Sequence, residues 1–446
     1  MRKSDRMDLI VKGGRLVTPL SVFEGDIGIT DGRIERIARS ISDSPDEVLN
    51  AKGMLVFPGM IDPHVHVHDP LPPFIDREDF GSATVAAACG GLTTIIEMPT
   101  DTPLLESAAI REKIAAGKDL ANIDFALHAG NMTPDAISSI GDMVREGITS
   151  FKGFLSPPYK LNDGQVLEFL REVERHDCTA LFHCENGEII DNETELRMKE
   201  GDDPVLHSLG RPNIAEEEAV ARMCRFASHT DTKLHVVHVS TREGAQEVAR
   251  WRSDHAVTGE VCTHHLVFTR DAMHEQGPFL KMNPPLRGVD DVHALWTALA
   301  DGTLDMVATD HFSCFRKEKE AGIWEAPSGV PGIETMVPLV LSLGVNEGRL
   351  TLRRACEVLS TNAAKVFGLY PNKGSLQVGT DADLTIVDLK ATKRITADDL
   401  HYRVGWTPYE GMTVRGLPVA TVVRGKIVAR DGEFIGRNGP AVYIKR

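Results

Sequence analysis

The sequence predicts an α/β protein: a (β/α)8 barrel of the TIM type, with a small β-sandwich built jointly by the two chain ends. Three observations carry this. Short apolar runs separated by helical segments recur eight times through the middle of the chain, the signature of repeated β-α units on a parallel sheet. Both flanks change period and alternate strand-like runs with glycine turns, as hairpins do. No G-x-G-x-x-G follows a strand to favour the alternative, an open doubly wound sheet.

Residues 1–60 form the first part of the sandwich. Leu9-Ile10-Val11, Asp26-Ile27-Gly28-Ile29 and Arg33-Ile34-Glu35-Arg36-Ile37 are separated by turns at Lys12-Gly13-Gly14 and Asp31-Gly32. Residues 61–372 form the barrel. Its strands are read at Met60 to Val67, Thr93 to Met98, Asp124 to Leu127, Ile148 to Phe154, Thr179 to His183, Lys233 to Val239, Val257 to Cys262 and Asp305 to Thr309. Arg353 to Tyr370 reads as one or two closing helices. Residues 373–446 complete the sandwich, with runs at Asp383 to Val387 and Val419 to Val428 and a turn at Asp431-Gly432.

Composition narrows the function. The chain has 446 residues, 42% of them hydrophobic and 26% charged, which excludes disordered, collagenous and disulfide-stapled classes. Its 65 acidic and 49 basic residues give a net charge of -16, which repels phosphate backbones and anionic lipid surfaces. The expected partner is therefore a small molecule, not nucleic acid or membrane. Seven cysteines (Cys89, Cys178, Cys184, Cys224, Cys262, Cys314 and Cys356) contain no CxxC pair, so neither a disulfide framework nor a cysteine zinc site is expected, and a cytoplasmic location fits. The charged start is not followed by the apolar run of an export signal. Met7 is an equally good start, which would make the preceding residues dispensable.

Unusual residues fall at the C-terminal ends of the barrel strands, the face on which barrel active sites are built. His64 and His66 lie two apart, so a strand period points both imidazoles to one side, where they can chelate a cation. Lys152 ends the fourth strand, His183 the fifth, His238 the sixth and Asp310 the eighth. Each has an ordinary reading taken singly. A strand-end histidine is commonly a hydrogen-bonded rim residue, a lysine in an apolar run snorkels, and an aspartate caps the next helix. Six on one face are not explained as independent accidents.

Four imidazoles and one carboxylate suffice for two divalent cations but leave no bridge between them. Lys152 supplies one. A lysine in an apolar, cationic site has a lowered pKa, and its neutral amine can add CO2 to give a carbamate with two ligand oxygens. Such a pair of ions would bring a bridging water to about neutral pKa and polarise a carbonyl.

These residues resemble the cyclic amidohydrolases of the amidohydrolase superfamily, which include hydantoinases, dihydropyrimidinases, allantoinases and dihydroorotases. The motifs run along nearly the whole chain: Pro58-Gly59-Met60-Ile61-Asp62-Pro63-His64-Val65-His66, Gly90-Gly91-Leu92-Thr93-Thr94, Phe151-Lys152, His183-Cys184-Glu185-Asn186, His238-Val239-Ser240 and Gly374 to Leu384. The resemblance implies a binuclear zinc site. His64, His66, Lys152 and Asp310 would hold one ion, and carboxylated Lys152, His183 and His238 the other. It further implies that Asp310 serves as general base and then general acid in the hydrolysis of a ring amide, and that the chain assembles as a homotetramer or homodimer.

Substrate signals favour the hydantoinase and allantoinase branch. Dihydroorotases resemble H-x-H-F-R-D-P, whereas this chain has His66-Val67-His68-Asp69-Pro70, and their M-P-N-T segment is Met98-Pro99-Thr100-Asp101 here. The tyrosine of many dihydropyrimidinases lies five residues beyond the lysine; Pro157 stands there, with Tyr159 two positions on as a substitute oxyanion donor. By the same resemblance, groups at Asn283 and Ser328 would hold the ring's imide edge, and His68 would contact substrate. A dihydropyrimidinase or dihydroorotase activity on a six-membered ring is the alternative. A non-catalytic scaffold relative is disfavoured by the complete ligand set, and a mononuclear deaminase by Lys152. His264 and His265 read as pocket or rim residues, Cys184 as a small buried hydrophobe facing away from the site, and His311 as orienting Asp310 or the substrate.

Overall fold

The structure is a computed structural model that describes residues 7–69, 77–99, 102–252, 256–436 and 441–446. The residues before Met7, Pro70 and the Thr100-Asp101 pair lie outside the described residues.

All eight expected barrel strands form: β1 (Met60–His66), β2 (Leu92–Glu97), β3 (Asp124–Leu127, resumed at Ala129–Gly130), β4 (Ser150–Phe154), β5 (Thr179–His183), β6 (Lys233–Val236), β7 (Val257–Cys262) and β8 (Met306–Ala308, resumed at His311–Phe312). Every pairing among them is parallel. The ladder runs in two arcs, one from β8 back to the second half of β3 and one from the second half of β8 through β1 and β2 to β3. Because β3 and β8 each belong to both arcs, the ring closes. The strands are buried on both faces, which is why they read as continuous apolar runs.

Ile61, Ile96, Ala126, Leu181 and Met306 pack with Ala363, Ala364 and Phe367 in one apolar layer. Leu181 precedes His183 by two residues on the same strand face, so this layer forms the floor under the strand ends. The helical run Leu352–Cys356, Glu357–Thr361 and Asn362–Val366, with a wide π turn at its centre, closes the barrel from below. Local signals set the helix starts on the outer ring. Asp79 and Ser82 form a capping box on Phe80–Cys89, and Asn162 and Gln165 do the same for Asp163–Arg175.

The chain ends join in one sheet. Leu9–Val17 pairs with Leu55–Pro58, which pairs antiparallel with Leu384–Arg394. The sheet has nine strands, eight in one ladder and the ninth, Glu47–Asn50, pairing with Leu9–Val17 off that path, so both chain ends share one sheet as the sequence predicts. It rolls over to enclose its own core. The turn at Asp31-Gly32 meets the turn at Arg424-Gly425 so closely that a Cβ on Gly32 would stand 3.0 Å from the Arg424 carbonyl oxygen. One apolar cluster accordingly mixes Leu9, Ile27 and Ile34 with Leu384, Ala420 and Val422. All seven cysteines are buried and free. Among the described residues, no helix is long and apolar enough to cross a membrane.

Candidate metal centre and active-site cavity

The six expected residues converge at the C-terminal mouth of the barrel. His64 and His66 project from the end of β1 with ring centroids 5.1 Å apart. Their Nε2 atoms stand 3.2 and 3.0 Å from one oxygen of Asp310. The ligand atoms of these three residues all lie within 4.8 Å of one another. A second group faces them: His183 Nδ1 and His238 Nε2 are 3.1 Å apart, and the His64 and His238 rings are 5.6 Å apart. Lys152 is buried at 1% exposure and acts electrostatically on His64, His183 and His238 alike, as a group standing between the two sets would.

The donor set fits divalent cations. Burial lowers the pKa of His64, His183 and His238, leaving them as the neutral imidazoles that ligate metals. Three of the four rings are oriented through their other nitrogen. His64 Nδ1 donates to Glu260 at 2.5 Å, His66 Nδ1 to the Met98 carbonyl at 3.0 Å, and His183 Nε2 to Glu185 at 2.7 Å. That is the arrangement in which a protein fixes the tautomer of a metal-binding histidine. Burial acts to raise the Glu185 carboxyl, but the Arg211 guanidinium overrides it and keeps the group ionised.

Two of the six residues owe their placement to backbone that leaves the strands. β6 ends at Val236, short of the expected Val239, and β8 breaks after Ala308. His238 and Asp310 have φ of 40° and 49°, a region non-glycine residues rarely occupy, found where a site imposes it. Asp62 holds the second bend: its carboxylate accepts from His64 N and Thr309 N at 3.2 Å each and from the Thr309 hydroxyl at 2.5 Å. Gly130, at φ 139°, lets β3 lie against β4; a Cβ there would stand 2.5 Å from the Lys152 carbonyl oxygen and 2.6 Å from its backbone nitrogen.

Burial pushes the Lys152 amine down from 10.5 to about 8. Its neutral form therefore becomes abundant as pH rises through that value. About 20-fold more neutral amine is present at pH 8.5 than at pH 6.5. CO2-dependent reactivation of metal-stripped protein, followed at fixed dissolved CO2 and saturating metal, is expected to quicken by about 20-fold between these pH values. A flat profile would show that this amine does not react.

The six residues line a cavity of about 340 Å³, within the size range of small-ligand sites. Asn283, Ser328 and Tyr159 line it too, with Phe154, Phe312 and Arg211. Asn283 Oδ1 is buried and has no hydrogen-bond partner among the described residues, an acceptor suited to a ring N–H. A larger depression of about 870 Å³ lies against Asp124, at the opposite end of the barrel. Its charges are mutually neutralised, Lys373 binding Asp381 at 3.1 Å and Asp383 at 2.5 Å as well as Asp124.

Four expectations need correction. His68 does not line the cavity: β1 ends at His66, and the positive φ of His68, 54°, turns its ring onto Phe80 at 5.4 Å. His264 and His265 are buried away from the cavity wall, and His265 Nε2 donates to the Pro284 carbonyl at 3.1 Å, bracing the loop of Asn283. His311 does not orient Asp310; its Nδ1 accepts from Gly332 N at 3.1 Å and steadies the loop beyond Ser328.

The sequence reading also missed supporting residues. Glu260, Glu185, Arg211 and Asp62 surround the ligands, and Lys319 joins the two loops that carry Asn283 and Ser328. The Lys319 ammonium, wholly buried, donates to the carbonyls of Lys281, Pro327 and Gly329 at 2.9–3.0 Å. Glu185 had a signal, a carboxylate two residues beyond His183 in the motif His183-Cys184-Glu185-Asn186, although the strand ends at His183. Lys319 lies in a charged helical segment and had none.

Comparison with known proteins agrees with this geometry. Residues 55–428 match the model of the amidohydrolase family. The chain is 36% identical to a D-hydantoinase of Geobacillus stearothermophilus over 99% of its own length and 97% of that protein's. It is also 36% identical to a dihydroorotase of Methanothermobacter thermautotrophicus, over 97% and 96%. The solved structure of an L-hydantoinase (dihydropyrimidinase) from Arthrobacter aurescens superposes with a TM-score of 0.95 at 33% identity, covering 99% of this chain and all of that one.

Proposed function

This chain belongs to the amidohydrolase family, and we propose that it hydrolyses one amide bond of a hydantoin-like ring, allantoin included. The observation that carries this is the shared wall of one cavity, where four histidines, Lys152 and Asp310 face Asn283, Ser328 and Tyr159. The family's dependence on a binuclear metal centre accounts for the convergence of those six side chains.

His64, His66 and Asp310 would hold one zinc ion and His183 and His238 the other, with carboxylated Lys152 shared. When bound, the ions supply Lewis acidity and bring water to a pKa of about neutrality. The carbamate forms when the neutral Lys152 amine adds to the carbon of CO2 and releases one proton to solvent. Asp310 Oδ1 faces His64 and His66, which leaves Oδ2 to take the proton of the attacking water. As the ring C–N bond breaks, Asp310 returns that proton to the departing nitrogen. Tyr159, at the cavity wall, would donate to the carbonyl oxygen on which charge collects, and Asn283 and Ser328 would hold the imide edge. The enzyme would act in the cytoplasm as a homodimer or homotetramer.

A six-membered ring, as in a dihydropyrimidinase or dihydroorotase, is the second reading, favoured by the equal identity to the dihydroorotase relative. Ring opening should therefore be measured on allantoin, 5-substituted hydantoins of both hands, dihydrouracil and dihydroorotate with zinc- and bicarbonate-loaded protein. Turnover confined to five-membered rings is expected. Turnover of dihydroorotate alone would overturn the substrate reading and leave the metal chemistry standing.

A further inference from the structure

The carboxylate of Glu260, on β7, touches both halves of the ligand set. Its Oε1 accepts from His64 Nδ1 at 2.5 Å and from the backbone N–H of His238 at 3.2 Å. Its Oε2 accepts from His235 Nε2 at 3.2 Å, and His235 is fixed in turn through Nδ1 by the Thr258 hydroxyl at 2.8 Å. Glu260 is 1% exposed, and among the described residues no lysine or arginine pairs with it. A buried carboxylate without a basic side-chain partner is costly unless its oxygens are fully used, and here they are spent on histidines.

Glu185 is its counterpart on the other side but serves one ligand alone. It accepts from His183 Nε2 and is otherwise held by Arg211. We propose that Glu260 is a positioning residue that couples the two ion sites. Through its Oε1 it sets the His64 ring so that Nε2 faces Asp310. Through the same oxygen it holds the backbone of His238 in its left-handed conformation, which brings His238 Nε2 to 3.1 Å from His183 Nδ1. One atom thus fixes a ligand of each set, and neither can shift without the other. The inference rests on the assignment of His64 and His238 as metal ligands made above.

Metal content against chelator concentration, read by elemental analysis of the folded protein, tests it. Wild-type protein is expected to hold two zinc ions per chain. Glu185→Gln should release one of them at chelator levels that leave wild type intact. Glu260→Gln should release both in a single step, with affinity lowered roughly 10–100-fold, the range for lost outer-shell partners. Glu260→Asp, which keeps the charge on a shorter arm, should fall between and serves in place of Glu260→Gln if that variant does not fold. Loss of one ion alone from the Glu260 variants, or retention of both at wild-type chelator levels, would overturn the coupling. Wild-type protein holding fewer than two ions would overturn the ligand assignment, and the coupling with it.

Discussion

Replacing Lys152 with alanine is expected to abolish nearly all ring-opening activity and to remove most of one metal equivalent. The side chain is fully buried between two groups of ligands, and no other described carboxylate or lysine stands between them. Glu260 and Glu185 lie behind the imidazoles, already committed to their outer nitrogens. With Lys152 as the proposed shared ligand, its loss would remove several kcal/mol of charge stabilisation, which corresponds to about a 10³-fold fall in kcat/KM. The truncation also leaves a gap of the shape of a short carboxylate. Acetate or propionate should therefore restore a measurable part of both metal content and rate. Full activity in Lys152→Ala would sink the shared-carbamate reading, whereas lost activity with both metals retained would move the role of Lys152 from holding ions to contacting substrate.

Asp310→Asn should give the second large loss. Asparagine keeps the shape and a carbonyl oxygen to face His64 and His66, but it cannot accept and return a proton. The expected effect is a kcat lowered by about 10²–10⁴, the range for a missing general acid-base group, with KM changed far less. His64 and His66 beside Asp310 outweigh burial and hold its carboxyl well below the usual carboxylate range, so it stays ionised wherever the wild type is active and the loss should be of similar size at every assay pH. Elemental analysis must accompany the kinetics: a variant that keeps both metals and retains wild-type kcat would exclude Asp310 as the proton carrier.

The barrel was legible because its strands are buried on both faces and so appear as apolar runs with helices between them. The His64-His66 pair was legible because a strand repeats every two residues and β1 extends through both. His68 was assigned by resemblance instead, and there the strand has ended and a positive φ turns the ring onto Phe80. The strand rule fell short at His238 and Asp310. Both positions were identified from motif and strand end, but the left-handed bends that aim them are set by Glu260 and Asp62, which are distant in sequence. Partners brought together only by closure of the ring leave no local pattern. Lys319 is the clearest example, since its three carbonyl partners lie on two separate loops.

The terminal sheet has a consequence for how the molecule is made. Leu55–Pro58 cannot meet its neighbour Leu384–Arg394 until the ribosome has produced the whole barrel, and the segment at Val442–Ile444 that pairs with Phe125 comes later still. At about 5–20 residues per second, the early strands wait for roughly 20–60 s. Throughout that time the edge of Leu55–Pro58 is open and Leu9, Val11, Leu16 and Val56 lack the partners that later cover them. An open strand edge beside apolar side chains is the element most prone to pair with another chain. Slower translation or scarcer chaperones should therefore lower soluble yield through a part of the molecule that lies away from the active-site cavity.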